Sequence, residues 1–163
     1  MELDSLASVR AGAQDFLQQS KILNVLINNA GVMATLEGWT KDGFRTQFGA
    51  NHRVNFLLFE LLKPTLLASA TPEFPFRAVS MSSIRHRSGS VRLHDYDFDE
   101  SGSYSLAKPR PQNIWCANEI ERRYGSRKLH ATSLRTGGIV TSLQKYLILR
   151  RQSHGTSLPH GRT

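Results

Sequence analysis

Three short segments of apolar and small side chains constrain the fold of this chain more than any other feature. They occupy residues 24–28, 77–82 and 129–134 and are separated by much longer stretches. Short runs of this kind, bounded by glycine or polar sequence, are typical of buried strands in a parallel sheet. Because strands that alternate with helix-length stretches pair in parallel through right-handed crossovers, the sequence predicts an α/β fold with a parallel sheet.

The stretches beside these segments carry signals for helices. Four regions show helical spacing of apolar residues or a residue that suits a helix start: 5–20, 41–67, 111–124 and 142–151. Either Asp4 or Ser5 is expected to cap the first helix. Thr40 is expected to cap the second helix and to place Asp42 in its first turn.

The length and composition indicate one globular domain, since 163 residues are enough to bury a core. We expect this domain over residues 1–152, with a loop at 84–110, and a disordered tail at 153–163. No stretch approaches the roughly 18 apolar residues that span a bilayer, so no transmembrane segment is expected. The N-terminus lacks a signal pattern and Cys116 is the single cysteine, which together predict a cytoplasmic location.

The net charge of +8 raises the question of a nucleic-acid partner. The basic residues are scattered, however, and no basic stripe interleaved with aromatic residues is present. A solvated basic surface is therefore expected, without specific binding to nucleic acid. No metal site is expected either, because His86, His94, Asp95 and Asp97 lack the spacing that is typical of metal ligands.

Four motifs then follow one another along the chain: Asn28-Asn29-Ala30-Gly31, Asn51-His52, Ser80-Met81-Ser82-Ser83 and the segment from Gly137 to Thr141. Their order and rough spacing resemble the short-chain dehydrogenase/reductase family. Residues 25–33 and 117–124 are most similar to its retinol-dehydrogenase-like branch. The resemblance covers about residues 3–150. It implies a partial Rossmann-like, doubly wound sheet of about three parallel strands with flanking helices, truncated at both ends.

The resemblance implies a binding edge for NADP or NAD. Doubly wound sheets bind ligands beyond the carboxyl ends of their strands, and the small residues after the first strand would let the cofactor ribose approach the backbone. The residues implied at this edge are Asn29, Ala30, Gly31, Gly137, Val140 and Thr141. Thr136 stands where the family usually has a proline. Asp4, or Glu2 in a gapless alignment, resembles the acidic residue that accepts from the adenine amino group; its alternative role is the helix N-cap.

Four residues are implied in catalysis: Asn51, Ser83, Tyr104 and Lys108. Ser83 would hold the substrate carbonyl or alcohol, and Asn51 would hold a water in a proton relay. Tyr104 and Lys108 match the family's Tyr-x-x-x-Lys pair, in which the lysine ammonium lowers the tyrosine pKa so that the hydroxyl can exchange a proton with the substrate.

A second alignment of the catalytic pair stays open. Pro109 follows Lys108 and disfavours helical geometry at the lysine. Counting back from Asn113, the catalytic positions fall instead on Leu106 and Arg110, neither of which exchanges a proton usefully. The pattern also recurs at residues 124–128, where the family has none.

Two functions are consistent with these motifs. The first is an NAD(P)-dependent oxidoreductase that transfers hydride between the nicotinamide and an alcohol or carbonyl carbon. The second is a catalytically inactive remnant or interaction module, because the sequence contains no glycine-rich phosphate turn. This chain alone is accordingly expected to bind NADPH weakly or not at all. The open apolar edge at residues 24–28 would favour self-association.

Overall fold

The computed structural model describes residues 1–33, 35–71, 73–83, 112–135 and 137. Several sequence-based predictions fall outside the described residues. They are the loop at 84–110, the helix at 142–151, the tail at 153–163, and the candidate site residues Tyr104, Lys108, Val140 and Thr141.

Three helices and three strands make up the described fold. Helix α1 spans Leu6–Gln19, and strand β1 follows at Val25–Asn28. Helix α2 consists of an α-helical start at Thr46–Phe48, a π-helical turn at Gly49–Arg53 and a long α-helical part at Val54–Ala68. Strand β2 spans Phe76–Met81, helix α3 spans Gln112–Tyr124, and strand β3 spans Leu129–Leu134 after a short 3₁₀ turn at Gly125–Arg127.

The three strands form one parallel sheet in the order β1-β2-β3. Leu26 lies beside Ala78, and Ala78 lies beside Ala131, so one row of side chains crosses the sheet on the same face. Asn28, Ser80 and Ser133 form the next such row, at the carboxyl ends of the strands. The predicted α/β fold with about three parallel strands is therefore confirmed.

The core lies between this face of the sheet and the helices. Phe59, Leu62 and Leu66 recur at helical spacing on α2 and are nearly or fully buried. They pack in one cluster with residues of the sheet, α1 and α3: Leu26, Phe76, Ala78, Leu129, Ala13 and Ile120. The described helices thus cover one face of the sheet. On the opposite face, Ile27 stays 58% exposed.

Helix α2 begins at Thr46, so the prediction that Thr40 caps it is wrong. Thr40 instead closes a tight turn, in which its N–H donates to the Phe44 carbonyl and its Oγ1 accepts from the Phe44 N–H. Gly43 in this turn has a φ of 78°, which is incompatible with a right-handed helix. Residues 40–45 therefore form a turn, although their sequence resembles a helix N-terminus.

The start of α1 settles which residue caps it. Ser5 is the N-cap, and its hydroxyl accepts from the Ser8 N–H, so Asp4 does not cap this helix. Asp42, which was predicted in the first turn of α2, lies elsewhere: its Oδ2 accepts from the Leu6 N–H at 2.7 Å. The turn before α2 therefore supplies one of the acceptors that the first turn of α1 needs.

Candidate active site

The candidate site lies at the carboxyl edge of the sheet. Because the strands are parallel, the residues that follow Asn28, Met81 and Leu134 emerge at the same edge. The Ser82 N–H donates to the Leu134 carbonyl at 2.7 Å and holds the ends of β2 and β3 together. The structure brings five of the predicted site residues to this edge, all of them exposed: Asn29, Ala30, Gly31, Ser83 and Gly137.

Asn51 holds the loop that follows β1. Its Oδ1 accepts from the Val32 N–H at 2.7 Å, and its Nδ2 donates to the Val32 carbonyl at 2.8 Å. One side-chain amide therefore binds both backbone groups of a single residue, as a neighbouring strand would. This contact gives Asn51 a positioning task at the site, and its implied role in a proton relay stays a prediction.

Gly31 lies against the same amide. A Cβ built at Gly31 would lie 2.7 Å from Asn51 Oδ1, which is closer than real Cβ contacts allow. The glycine is therefore required by the close approach of the Asn51 side chain. The sequence-based reasoning attributed this small residue to the approach of a cofactor, and the structure adds a second reason within the chain itself.

The π-helical turn at Gly49–Arg53 places Asn51. Turns of this kind are rare and recur at functional sites, because they shift side chains relative to a regular helix. Gly49 lies against the preceding turn, where a Cβ would come within 2.4 Å of Thr40 Cγ2. One turn of helix later, the buried Asn55 donates from Nδ2 to the Asn51 carbonyl at 3.0 Å. Asn51 is thus held through its side chain and its backbone.

Asn113 connects the π-helical turn of α2 to the end of β2 and was missed by the sequence-based reasoning. From the first turn of α3, its Nδ2 donates to the Asn51 carbonyl at 3.0 Å and to the Met81 carbonyl at 2.9 Å. Its Oδ1 lies 2.9 Å from His52 Nδ1. The available signal was an asparagine inside a predicted helix, a position that this residue type disfavours unless its side chain has a local task.

Asp4 lies beside a lysine. Its carboxylate is 3.6 Å from Lys41 Nζ, while Glu2 Oε2 approaches the same Nζ at 2.7 Å. The hydrogen bond from Lys41, together with its positive charge, lowers the pKa of Glu2. The hydrogen bond to Glu2 and the negative charges of Asp4 and Glu2 raise the pKa of Lys41. Since all these groups are exposed, they contribute little to stability. The implied contact of Asp4 with adenine stays a prediction.

Two buried side-chain oxygens at the carboxyl edge, Asn28 Oδ1 and Ser82 Oγ, have no hydrogen-bond partner in the described part of the chain. Buried polar atoms are normally paired, so two unpaired oxygens at one edge of the sheet are unusual. The exposed residues 29–31 beside them are the part of this edge that a dinucleotide lying across the strand ends could contact. Within the described residues, no group of three or more His, Cys, Asp or Glu side chains could hold a metal.

Two other features lie away from this edge. A cleft of about 680 Å³ separates α2 from α3 and is walled by Phe56, Trp115 and Tyr124, with the half-buried Cys116 beside them. Burial raises the pKa of the Cys116 thiol. Among the described helices, none is long and apolar enough to span a membrane.

The second Tyr-x-x-x-Lys pattern does not form a pair on one helix face. Tyr124 ends α3, and Lys128 follows a 3₁₀ turn with a φ of 66°. The Tyr124 ring packs instead near Phe59, at 6.4 Å between ring centroids, and lies 5.4 Å from Lys63 Nζ.

Comparisons with known proteins agree with the fold and motifs. The chain is 46% identical over 151 residues to a short-chain dehydrogenase/reductase from Penicillium rubens. The aligned region covers 90% of this chain and 44% of that protein. It is 34% identical over 147 residues to retinol dehydrogenase 12 of Mus musculus, and this aligned region covers 89% of this chain and 45% of that protein. The chain therefore spans less than half the length of these curated relatives.

A solved structure shows the same fold. The NADP active-site complex of RhlG from Pseudomonas aeruginosa matches with a TM-score of 0.64 at 20% identity, over 93% of this chain and 57% of that one. At this identity the likeness establishes the fold alone. No protein-family model matches the chain.

Proposed function

Since the chain belongs to the short-chain dehydrogenase/reductase family, we propose that it forms one wall of an oxidoreductase that uses NADP or NAD to interconvert an alcohol and a carbonyl. The observation that carries the proposal is the clamp of Asn51 on Val32, with Gly31 pressed against the same amide. This clamp fixes the exposed backbone at residues 29–31, which is the surface that a dinucleotide would contact.

The proposed roles of the remaining residues are those that the resemblance to the family implies. A bound nicotinamide supplies the hydride or accepts it. Ser83, at the end of β2, orients the substrate oxygen by a hydrogen bond from its hydroxyl. Tyr104 gives a proton to that oxygen or takes one from it, and the Lys108 ammonium stabilises the tyrosinate. Asn29, Ala30, Gly31, Gly137, Val140 and Thr141 flank the cofactor, and Asp4 accepts from the adenine amino group.

Cofactor affinity is the first test. We expect NADPH and NADH to bind the purified chain more weakly than micromolar, because its sequence contains no glycine-rich turn to hold the pyrophosphate. Isothermal titration calorimetry with each cofactor measures this directly. Micromolar binding would contradict the expectation and would argue against a remnant that cannot bind cofactor.

Turnover tests the catalytic assignment. In an NADPH-oxidation assay with a panel of aldehydes and ketones, Tyr104→Phe should abolish turnover, because phenylalanine has no proton to donate. Tyr124→Phe is the matched control and should retain turnover, since Tyr124 packs against Phe59 and Lys63. Activity in the Tyr104 variant would refute the assignment, and turnover absent from the unaltered chain would favour the inactive remnant.

Exposed apolar residues on β1 favour a second candidate function, an interaction module that self-associates. Within the described sheet β1 pairs with β2 alone, and Ile27 and Val25 are 58% and 38% exposed. An uncovered strand of this kind is a template for pairing with a second copy of the chain. This candidate does not require cofactor binding and so is independent of the first.

A charge on β1 should disrupt such self-association. We expect Ile27→Lys to shift the chain from dimer or higher oligomer to monomer in analytical ultracentrifugation, because charged residues on edge strands prevent pairing. Thr132→Lys is the matched control, since Thr132 lies in the same row of the sheet on β3 and is exposed. A chain that is monomeric before any substitution, or equal dissociation in both variants, would exclude association through β1.

Two further predictions remain proposals. Residues 1–152 are proposed to form the domain, which limited proteolysis would test by yielding a resistant fragment of that extent. A cytoplasmic location is proposed from the lone thiol of Cys116 and is tested by imaging a fluorescent fusion of the complete protein.

A further inference from the structure

A continuous chain of hydrogen bonds connects the two sides of the candidate site. It runs from the Val32 backbone to the Asn51 side chain, and from the Asn51 carbonyl through the Asn113 amide to the Met81 carbonyl. We propose that Asn113 is a positioning residue that sets the distance between the cofactor edge at residues 29–31 and the substrate-side end of β2. The hydrogen-bonded connection from Val32 to Met81 rests on the geometry alone. Its effect on cofactor and substrate rests on the proposed oxidoreductase function.

The contacts of Asn113 fix the orientation of its amide. Nδ2 lies at 3.0 and 2.9 Å from two backbone carbonyls, those of Asn51 and Met81, which only accept hydrogen bonds. Both N–H groups of the amide are therefore used, and Oδ1 must face His52 Nδ1 as the acceptor. His52 consequently carries a proton on Nδ1. With three partners on two segments, the π-helical turn and the end of β2, the planar amide has little freedom to shift.

The Asn51 carbonyl is the junction of this linkage. It accepts from Nδ2 of Asn113 and from Nδ2 of Asn55, each at 3.0 Å, so two side-chain amides converge on this one oxygen. The side chain of the same residue holds Val32. A displacement of Asn113 would therefore move Asn51, and with it the loop that follows β1.

At its other end the amide holds β2 at its last residue. Met81 directly precedes Ser82, whose N–H donates to the Leu134 carbonyl. The next residue is Ser83, which is predicted to orient the substrate. The Asn113 side chain thus sets the distance between two parts of the site. One is the loop after β1, which would contact the cofactor, and the other is the Ser83 hydroxyl, which would contact the substrate. Hydride transfer depends strongly on such spacing, because reacting atoms must be held within about 3–3.5 Å.

The test replaces the two donors while keeping the size of the side chain. Asn113→Asp retains an acceptor toward His52 but places a carboxylate against the Asn51 and Met81 carbonyls. Asn118→Asp is the matched control, because Asn118 is an exposed asparagine on the same helix. Hydrogen exchange followed by NMR reports the Val32 amide directly, since that N–H donates to Asn51 Oδ1. We expect exchange at Val32 to become at least about tenfold faster in Asn113→Asp and to stay unchanged in Asn118→Asp.

Exchange within α1 distinguishes positioning from a general loss of stability. In Asn113→Asp the amides of Leu6–Gln19 should exchange at the rate of the unaltered chain. An unchanged rate at Val32, or an equal increase throughout α1, would overturn the proposal. If Asn113→Asp does not fold, Asn113→Ala, which removes the donors without adding charge, is judged by the same two rates.

Cofactor binding separates this inference from the proposed function. Where the unaltered chain binds NADPH measurably, Asn113→Asp should raise the Kd about tenfold and Asn118→Asp should leave it unchanged. An unaltered Kd in the folded Asn113 variant would overturn the role at the cofactor edge. Where the unaltered chain shows no turnover, the proposed function fails, and the Val32 exchange rate still decides whether Asn113 positions the loop.

Discussion

Replacing Phe59 by alanine is expected to lower the free energy of unfolding by about 3–5 kcal/mol. Phe59 is 2% exposed and lies in the core cluster that joins α2 to the sheet and to α3. Its ring is 6.4 Å from the Tyr124 ring, and Lys63 Nζ lies 5.9 Å from its centre. The substitution would leave a cavity between helix and sheet that the surrounding side chains fill only in part. Urea denaturation followed by circular dichroism measures the loss.

Phe56→Ala is the matched control for this prediction. Phe56 lies three residues earlier on the same helix but is 44% exposed, so much of its ring already contacts solvent. We expect this variant to lose less than about 1 kcal/mol. Similar losses in the two variants would mean that the core is not centred where the structure places it.

The strands could be predicted from the sequence because their signal is local. Each of the three is a short run of apolar and small residues, and the observed bounds differ from the predicted ones by at most one residue at each end. Parallel pairing followed from the lengths of the intervening stretches, which allow a helical crossover. Neither inference needed knowledge of contacts between residues that are distant in sequence.

The start of α2 could not be predicted in the same way. Thr40 followed by Asp42 has the composition of a helix N-terminus, but Thr40 bonds to Phe44 in a turn, and Asp42 bonds to Leu6 at the start of α1. The second contact joins residues 36 positions apart. Local propensity favoured a helix here, and tertiary hydrogen bonds together with the positive φ of Gly43 prevailed.

The candidate site could be predicted only in part, because some of its contacts join residues that are distant in sequence. The resemblance identified the residues after β1 and Asn51, since they lie in contiguous motifs. The link through Asn113 has no such motif, because its partner Asn51 is 62 residues away and accepts through its backbone carbonyl, which any residue possesses. The π-helical turn that places Asn51 is likewise absent from the 3.6-residue periodicity by which helices are predicted.

The second large effect is expected at Gly31. Gly31→Ala would place a methyl group about where a Cβ meets Asn51 Oδ1 at 2.7 Å. Since the backbone there is not in the left-handed region, the effect would come from this contact alone. Asn51 would have to move away, which breaks its two bonds to Val32. We expect a loss of about 1–3 kcal/mol in the free energy of unfolding, measured by urea denaturation.

Gly12→Ala is the control that separates this contact from the general effect of adding a methyl group. Gly12 lies inside α1, and its nearest neighbours are side-chain atoms of Met1 at 3.2 and 3.3 Å, which form a flexible and exposed side chain. Because alanine favours a helix over glycine, this variant should gain up to about 1 kcal/mol. The two substitutions are chemically identical and should therefore differ in sign. Gly31→Ala with unchanged stability and an unshifted Val32 amide resonance would show that the Asn51 clamp does not hold the loop after β1.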